Sequence, residues 1–381
     1  MLKVILLIDC ASEFDRRLLR GMMRYSKENG PWMFYRMPSD FSWVRDKEKW
    51  ILEWARTWKA DAIIGRWDEV KVNLLSRLNI PIVLQNNKTR SDVYSNLTGD
   101  YDGTGRLAAR YFKKKLFIDY AFFGVRNIIW SEERCGGFQD EVSKMGGKFY
   151  SYKVGPSDSY DRDDVLEWLR SLPKPVALFC CDDAHALVIT EICRMAGIRI
   201  PEDVSLLGVD NDELLCSISD PPISSIKLDV EQGGYMTCKQ LHEMVRRHEH
   251  TPFNVVVNPI GVVERESTKH YDISDPYVEK LVRYIDDNYN SDISMESLFG
   301  MVPLTRRCME MRFKKAMGIT IYQYIISDRI EYFSHLLLTT DRPVSDIAYE
   351  AGFRDCINIS RVFRKYKGCS PMEYRSNNCV F

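Results

Sequence analysis

Charged side chains that follow apolar runs are the residues of this sequence best suited to hold a small molecule. Asp210 ends the apolar run 204–209, and its carboxylate could accept two hydrogen bonds from neighbouring hydroxyl groups. Arg134 offers several donors in fixed directions, and such charge-assisted hydrogen bonds suit an uncharged ligand with many hydroxyls. After the first apolar run, Asp15 could add a hydrogen bond and Phe14 an apolar face for a bound molecule. The competing interpretation of each acidic residue is a helix N-cap or a surface ion pair.

Trp67 and Asp100 are further candidates for this site, and Asp100 also opens an enzyme-like motif. Residues 100–104 read D-Y-D-G-T, the D-x-D-G-T form of haloacid-dehalogenase phosphatases. That chemistry requires the motif at the tip of a buried strand, whereas the preceding stretch 91–99 is mostly polar. A sugar-phosphate hydrolase is therefore the alternative of another class, and we predict a protein that is not an enzyme.

Metal and cofactor chemistry find little support in the sequence. His242-Glu243 begins like H-E-x-x-H, but Arg246 holds the place of the second histidine. The 11 cysteines are scattered and include no C-x-x-C pair, so reduced thiols are the simplest interpretation. We expect no catalytic residue, no metal site and no cofactor.

A second kind of chemistry is indicated near the C-terminal end of the sequence. A short helical stretch, 345–350, reaches a break at Gly352, where glycine supplies the positive φ of a sharp turn. Asp355 could then cap a helix whose apolar stripe is Ile359, Val362, Phe363 and Tyr366. This layout is typical of a helix-turn-helix. The side chains of its outer face that could contact DNA are Cys356, Ile357, Asn358, Arg361, Arg364 and Lys365.

The same layout occurs once earlier in the sequence. A helix over 295–299 is followed by a second one that Thr305 could cap and Gly318 could close. Its outward side chains, which could also contact DNA, are Arg306, Arg307, Glu310 and Lys314. Between the two units, 321–338 contains neither glycine nor proline and would form a rod of about 25 Å. Two reading helices held apart in this way could enter successive major grooves, roughly 34 Å apart.

The part of the chain before residue 268 alternates short apolar runs with amphipathic helical stretches. Repeated strand–helix units imply parallel sheets that are covered by helices. Two such lobes would place the loops at the strand ends around a cleft, which is where α/β sheets bind ligands. The fold class we predict is a two-lobed α/β domain followed by an all-α domain with two helix-turn-helix units.

The C-terminal part resembles the AraC-type family of bacterial transcription activators. The motifs are I-A-x-x-x-G-F (347–353), S-R-V-F-R-K (360–365) and G-x-S-P-x-E-Y-R (368–375). The N-terminal part resembles the sugar-binding core of LacI-type repressors and periplasmic binding proteins. The matching stretches are 134–138, 182–186, 197–210 and 265–268. LacI-type proteins often use a polar contact where Asp182 stands, so this resemblance adds Asp182 to the candidate ligand residues.

These resemblances imply a domain plan. We expect a sensor domain over 1–268, a linker over 269–278 and a DNA-binding domain over 279–381. The first lobe would comprise about 1–115 and 230–252, and the second about 116–228 and 253–268.

They also imply a function: a sugar-responsive regulator that binds two half-sites of double-stranded DNA as a homodimer, recruits RNA polymerase and activates genes. D-Xylose is the expected effector, and another pentose, a hexose or a nucleoside is the alternative. LacI-type proteins carry a helix-turn-helix ahead of their core, which we expect here to be replaced by the C-terminal one.

Charge and hydropathy agree with this expectation. From Gly300 onward there are 13 Lys and Arg but 8 Asp and Glu, although the whole chain has a net charge of −1. A basic module on an acidic body suits a DNA-binding regulator. No apolar run approaches the ~20 residues of a membrane helix, and the first residues do not resemble a signal peptide. We therefore expect a cytoplasmic protein without a membrane partner.

Overall fold

The computed structural model describes residues 1–8, 12–36, 47–66, 75–85, 89–155, 161–247, 251–340, 342–354 and 356–378. The chain divides into two compact units, one of 1–113 and 117–268 and the other of 114–116 and 269–381. Among the described residues, no helix has both the length and the apolar character needed to cross a membrane.

The first unit is built on two six-stranded sheets that alternate with helices. Its elements begin with β1 (Lys3–Leu7), α1 (Glu13–Glu28), β2 (Met33–Arg36), α2 (Lys47–Trp58), β3 (Ala62–Gly65), β4 (Ile82–Leu84), β5 (Ser95–Gly99) and α3 (Tyr101–Lys114). They continue with β6 (Asp119–Val125), α4 (Ile129–Lys144), β7 (Lys148–Val154), α5 (Arg162–Ser171), β8 (Val176–Cys180), α6 (Asp183–Ala196), β9 (Val204–Val209), α7 (Glu213–Ile218) and β10 (Ser224–Leu228). The last ones are α8 (Val230–Arg247), β11 (Asn254–Val257) and β12 (Pro259–Val263).

Each sheet forms one lobe of this unit. The first sheet has the order β11-β5-β4-β3-β1-β2, and all of its pairings are parallel. The second has the order β12-β10-β9-β8-β6-β7, with only β12 antiparallel to its neighbour. The central strands β8 and β9 are buried along their whole length, as expected for parallel strands covered on both faces.

The lobe boundary near the end of this unit differs from the expectation. The stretch after 253 was assigned to the second lobe, but β11 pairs with β5 in the first sheet, from Asn254 beside Asn96 to Val257 beside Gly99. Only β12, which begins at Pro259, joins the second sheet. The chain therefore passes between the sheets at Asn258, immediately before β12.

The second unit is helical and confirms the two predicted helix-turn-helix units. Its helices are α9 (Pro276–Asn288), α10 (Met295–Gly300), α11 (Arg306–Met317), α12 (Ile321–Thr339), α13 (Val344–Glu350), α14 (Cys356–Lys367) and α15 (Pro371–Asn378). The pairs α10–α11 and α13–α14 are the two helix-turn-helix units. Because α9 begins at Pro276 after its N-cap Asp275, the connection is shorter than the expected linker 269–278.

The helix α12 belongs to two separate hydrophobic cores. Its first turns, with Ile321 and Ile325, pack with buried residues of α9, α10 and α11 such as Phe313. Its later turns, with Ile330 and Phe333, pack with α13 and α14. This is the rod expected from the run without glycine or proline, and each helix-turn-helix unit has its own core around one half of it.

Local signals for the helix ends are confirmed wherever the structure describes them. Thr305 caps α11 by accepting a hydrogen bond from the Cys308 amide, and Gly318 ends that helix with φ 73°. Gly352 has φ 85° in the turn between α13 and α14. Asp355, the expected cap of α14, lies outside the described residues. Of the apolar stripe predicted for α14, Tyr366 is 39% exposed, so it does not belong to the core.

Candidate functional site

Arg134 and Asp210 meet in the second lobe. Nη2 of Arg134, on the second turn of α4, lies 3.5 Å from Oδ1 of Asp210, which directly follows β9. Burial raises the pKa of Asp210, and the Arg134 guanidinium opposes that rise. Asp210 Oδ1 and Arg134 Nε are buried and have no hydrogen-bond partner among the described residues. Buried polar atoms are normally paired, so this pair of atoms is prepared to accept and donate hydrogen bonds to a ligand.

Asp182 is held by a histidine that the sequence did not single out. Its Oδ1 accepts hydrogen bonds from the His185 amide at 2.8 Å and from His185 Nδ1 at 2.6 Å, because Asp182 is the N-cap of α6. Burial opposes ionisation of Asp182, but the bonds from His185 outweigh it and lower its pKa. Burial likewise disfavours the imidazolium, yet Cys181 and Asp182 raise the pKa of His185 to about 11. Both the N-cap interpretation and a carboxylate oriented for a ligand fit this geometry.

The ligating atoms of Cys181, Asp182 and His185 lie within 4.8 Å of one another, as in a metal site. Their chemistry is nevertheless already satisfied within the group, since Asp182 and His185 are hydrogen-bonded. Burial raises the pKa of the Cys181 thiol to about 12. We therefore describe these residues as part of the polar site around Asp182, and the expectation of no metal site stays a prediction.

Asp15 and two arginines supply the side of the site that belongs to the first lobe. The Asp15 carboxylate is buried in the first turn of α1, and Nη2 of Arg66, just after β3, lies 3.2 Å from its Oδ1. Phe14 is half-buried beside Asp15 and packs on the core of the unit. Arg17, on the same helix, donates to the carbonyl oxygens of Asp210 at 3.3 Å and Leu228 at 2.8 Å. It thus connects the two lobes directly.

Asp100 is used as a helix cap, the competing interpretation of this residue. Its Oδ1 accepts a hydrogen bond from the Gly103 amide at 2.9 Å, at the start of α3. The stretch before it was expected not to be a buried strand, and this is wrong: β5 is buried, and its polar Asn96 is paired with Ser91 and Asn254. Even so, the second acid of the D-x-D-G-T motif, Asp102, forms an ion pair with Arg106. Trp67 lies outside the described residues.

Aromatic rings around Arg134 form a further part of the site. The rings of Tyr101 and Trp130 both have their centroids 5.6 Å from the Arg134 guanidinium. At the edge of the same region Arg90, which precedes β5, forms a two-pronged ion pair with Glu133 at 2.5 and 2.7 Å. Tyr101 and Arg66 each come shortly after a strand, so their positions could have indicated them as residues of the site. Nothing local in the sequence indicated Arg17 or Arg90 as residues of the site.

The arrangement combines three carboxylates with arginines from both lobes at the carboxyl ends of parallel strands. Asp15, Asp182 and Asp210 are accompanied by Arg17, Arg66, Arg134 and the imidazolium of His185, so the positive excess among these groups is a single charge. Such a site offers alternating donors and acceptors beside aromatic faces. That chemistry suits a neutral molecule with many hydroxyls better than a phosphorylated one.

The predicted DNA-contacting residues of α11 lie on its exposed face. Arg306, Arg307, Glu310 and Lys314 are all exposed, whereas Met309 and Phe313 are buried. Arg306 is held in place by an ion pair with Glu310 at 2.9 Å and lies 5.5 Å from the ring centroid of Phe299.

The second reading helix carries a basic groove. Arg361, Arg364 and Lys365 are exposed and line it together with Ser360. Arg364 also lies 3.4 Å from Glu373 of α15. The backbones of Cys356, Ile357 and Asn358 form the first turn of α14, and their side chains lie outside the described residues. Exposed cations on the outer face of such a helix are the groups that contact phosphates and base edges.

Comparisons with known proteins follow the same division. The profile of a periplasmic binding protein-like domain matches residues 109–268, and that of a helix-turn-helix domain matches residues 300–377. The xylose operon regulatory protein of Escherichia coli (strain K12) is 26% identical over 390 residues, which cover 99% of this chain and 97% of that protein. The protein of the same name from Haemophilus influenzae is also 26% identical, over 98% of both chains.

A solved structure of a xylose-binding transcription activator has the same fold over the whole length. It superposes with a TM-score of 0.60 and 23% identity, covering 99% of this chain and 98% of that one. The order of the two domains, the paired helix-turn-helix units and the matches along the full chain agree. This chain therefore carries a periplasmic binding protein-like domain followed by a helix-turn-helix domain, and it is similar over its whole length to xylose operon regulatory proteins.

Proposed function

We propose that this regulator senses a neutral sugar, D-xylose, and activates pentose-utilisation genes in response. The observation that carries the proposal is the pair Arg134–Asp210, whose buried Nε and Oδ1 have no hydrogen-bond partner among the described residues. Two relatives that align over the full chain are named as xylose operon regulators, which supports the choice of sugar. No catalytic role is assigned to any residue, since the motif that resembled an enzyme has its two acids in a cap and an ion pair.

The sugar would act by favouring one arrangement of the two lobes. A ligand shifts a conformational equilibrium by its difference in affinity for the two states. Asp15 and Arg66 belong to the first lobe, while Asp182 and Asp210 belong to the second, so a sugar that contacts both sets favours the closed state. The closed sensor would then change how the reading helices α11 and α14 are presented to DNA.

The partners follow from this role. We propose a homodimer that binds two half-sites of double-stranded DNA in the cytoplasm and recruits RNA polymerase there. The resemblance to LacI-type cores supports the dimer, and the resemblance to AraC-type activators supports the contact with polymerase. The exposed cations of α11 and α14 would supply the phosphate contacts.

Calorimetric titration of the full-length protein with D-xylose, L-arabinose, D-ribose and D-glucose tests the effector. Saturable binding of D-xylose alone supports the proposal, and preferential binding of another sugar replaces D-xylose by that sugar. Footprinting on a genomic DNA library, with and without the bound sugar, tests the regulator role. Absence of any protected site under both conditions would overturn it.

A further inference from the structure

The ligand carboxylate Asp210 stands on an unusual backbone turn. Asp210 has φ 99° and the next residue, Asn211, has φ 50°. Positive φ is uncommon for residues other than glycine, and two in succession persist only where the surroundings hold them. The direction in which the Asp210 side chain points is therefore set by whatever fixes this turn.

Most of the groups that fix the turn belong to the second lobe itself. The Asn211 amide donates to Ser225 Oγ at 2.9 Å, and the Asn211 side chain accepts from Arg265 Nη2 at 2.8 Å. The Asp212 amide donates to Asp183 Oδ2 at 2.8 Å. These bonds lie entirely within the second lobe, so they persist in any arrangement of the two lobes. They hold Asn211 and Asp212, and because the Asn211 amide shares a peptide plane with the Asp210 carbonyl they also orient that plane, but none of them donates to the Asp210 carbonyl oxygen.

That carbonyl is held from the first lobe by Arg17. Nη1 of Arg17 donates to Asp210 O at 3.3 Å, and Nη2 donates to Leu228 O at 2.8 Å. Asp210 directly follows β9, and Leu228 is the last residue of the neighbouring strand β10. The planar guanidinium of Arg17 therefore contacts two adjacent strand ends. Arg17 is only 9% exposed, and it lies two residues after Asp15 on α1. Helix α1 of the first lobe thus carries both Asp15, a candidate ligand residue, and Arg17, which holds the turn at Asp210 in the second lobe.

We infer that Arg17 is a positioning residue for Asp210, which fixes the direction of the ligand carboxylate when the lobes are together. The contact crosses between lobes, so it forms in this arrangement and is lost when the lobes separate. Asp210 is then best placed to bind a ligand in the closed state, and Arg17 links lobe closure to ligand affinity. This inference rests on the proposed function only for the nature of the ligand.

The first experiment measures the turn itself, without any sugar. Amide hydrogen exchange of Asn211 and Asp212 is compared in wild type, Arg17→Met and Arg20→Met. Arg20 is the matched control, because it lies on the same helix, is 57% exposed and forms its ion pair with Glu13 within the first lobe. We expect exchange at least about tenfold faster in Arg17→Met and unchanged in Arg20→Met, since local opening becomes easier when a hydrogen bond is lost. Equal exchange in all three proteins would overturn the inference, whether or not the protein binds a sugar.

The second experiment separates positioning from general support of the closed state. D-Xylose affinity is measured in Arg17→Met, Asp210→Asn and the double variant. We expect Arg17→Met to weaken D-xylose binding at least about tenfold when it is made in the wild-type protein, but less than about threefold when it is made in the Asp210→Asn variant. The reason is that the effects of substitutions at coupled residues are not additive. The same loss in both backgrounds would refute positioning.

Two further comparisons make these readouts decisive. If wild type binds none of the sugars tested, the proposed function fails while the exchange experiment still decides the role of Arg17. If Arg17→Met does not fold, Arg17→Lys is measured in its place, because lysine can reach only one of the two carbonyl groups. Its amide exchange and its D-xylose affinity must then change in the same directions by smaller factors.

Discussion

Nη2 of Arg134 lies 3.5 Å from Oδ1 of Asp210, yet this Oδ1 and Nε of Arg134 are buried without a hydrogen-bond partner among the described residues. The pair combines a fork of donors with an acceptor, in a place that both lobes border. Because it is only partly satisfied within the protein, it has free hydrogen-bonding capacity for a ligand. The first prediction concerns this capacity.

Asp210→Asn should weaken D-xylose binding by at least about tenfold, because an amide is a weaker acceptor than a carboxylate and leaves Arg134 without its ion pair. Titration calorimetry measures the change. Asp220→Asn is the control, since Asp220 is 69% exposed and pairs with Arg194 at the surface. Unchanged affinity in Asp210→Asn would remove this residue from the ligand site.

His185 should make the stability of the sensor unit depend on pH. Its raised pKa, about 11, means that its contribution is complete below the unfolded value of 6.5 and is lost as the pH rises towards 11. Between pH 6 and pH 9, the free energy of unfolding of wild type should fall by about 1–3 kcal/mol more than that of His185→Gln. Urea unfolding at the two pH values measures this difference. A fall in His185→Gln as large as that of wild type would contradict the prediction.

Gly352→Ala should destabilise the DNA-binding unit more than Gly318→Ala does. Both glycines have positive φ, and an L-residue there costs about 1–2 kcal/mol. A methyl group at Gly352 would also lie 2.9 Å from Arg329 Nε and 3.0 Å from Asn290 O, whereas nothing lies within 4 Å of one at Gly318. Urea unfolding of the two variants provides the comparison. An equal loss of the free energy of unfolding in the two variants would mean that the turn at Gly352 accommodates the methyl group, contrary to the prediction.

Arg361→Ala should weaken DNA binding and reduce its dependence on salt. If Arg361 contacts a phosphate, the slope of log K against log salt should decrease by about one. Fluorescence anisotropy with an operator fragment at several salt concentrations measures both quantities. Arg283→Ala is the control, because this arginine is paired with Glu279 on α9. An unchanged slope together with weaker binding to one base sequence only would instead indicate that Arg361 reads a base.

The helical unit was predictable from sequence in detail, because its signals are local. Gly318, Gly352 and the Thr305 cap each act within one turn of the chain, so their effect can be inferred without knowing the rest of the fold. The partition of the two lobes was less predictable. Strand β11 returns to the first sheet because Asn254 pairs beside Asn96, a choice that no nearby residue encodes.

The candidate ligand site was predictable only in part, for the same physical reason. Asp210 and Arg134 were identified because each type of side chain fits the chemistry and Asp210 follows an apolar run. Arg17 was missed because its acceptors are backbone carbonyls at positions 210 and 228, which carry no sequence signal. The Asp100 carboxylate caps α3, an outcome that the local sequence equally allowed, and its role as a ligand residue stays a prediction.

The two cores that share α12 have a consequence for the rotational phase of the DNA-binding unit. The helix has 19 residues, and each residue turns the chain by about 100° and advances it by about 1.5 Å. An insertion of one residue within it would therefore swing α14 around the axis relative to α11, instead of being absorbed as it would be in a loop. The residue count of α12 therefore fixes the rotational phase of α14 relative to α11, and with it the relative orientation of their exposed cationic faces.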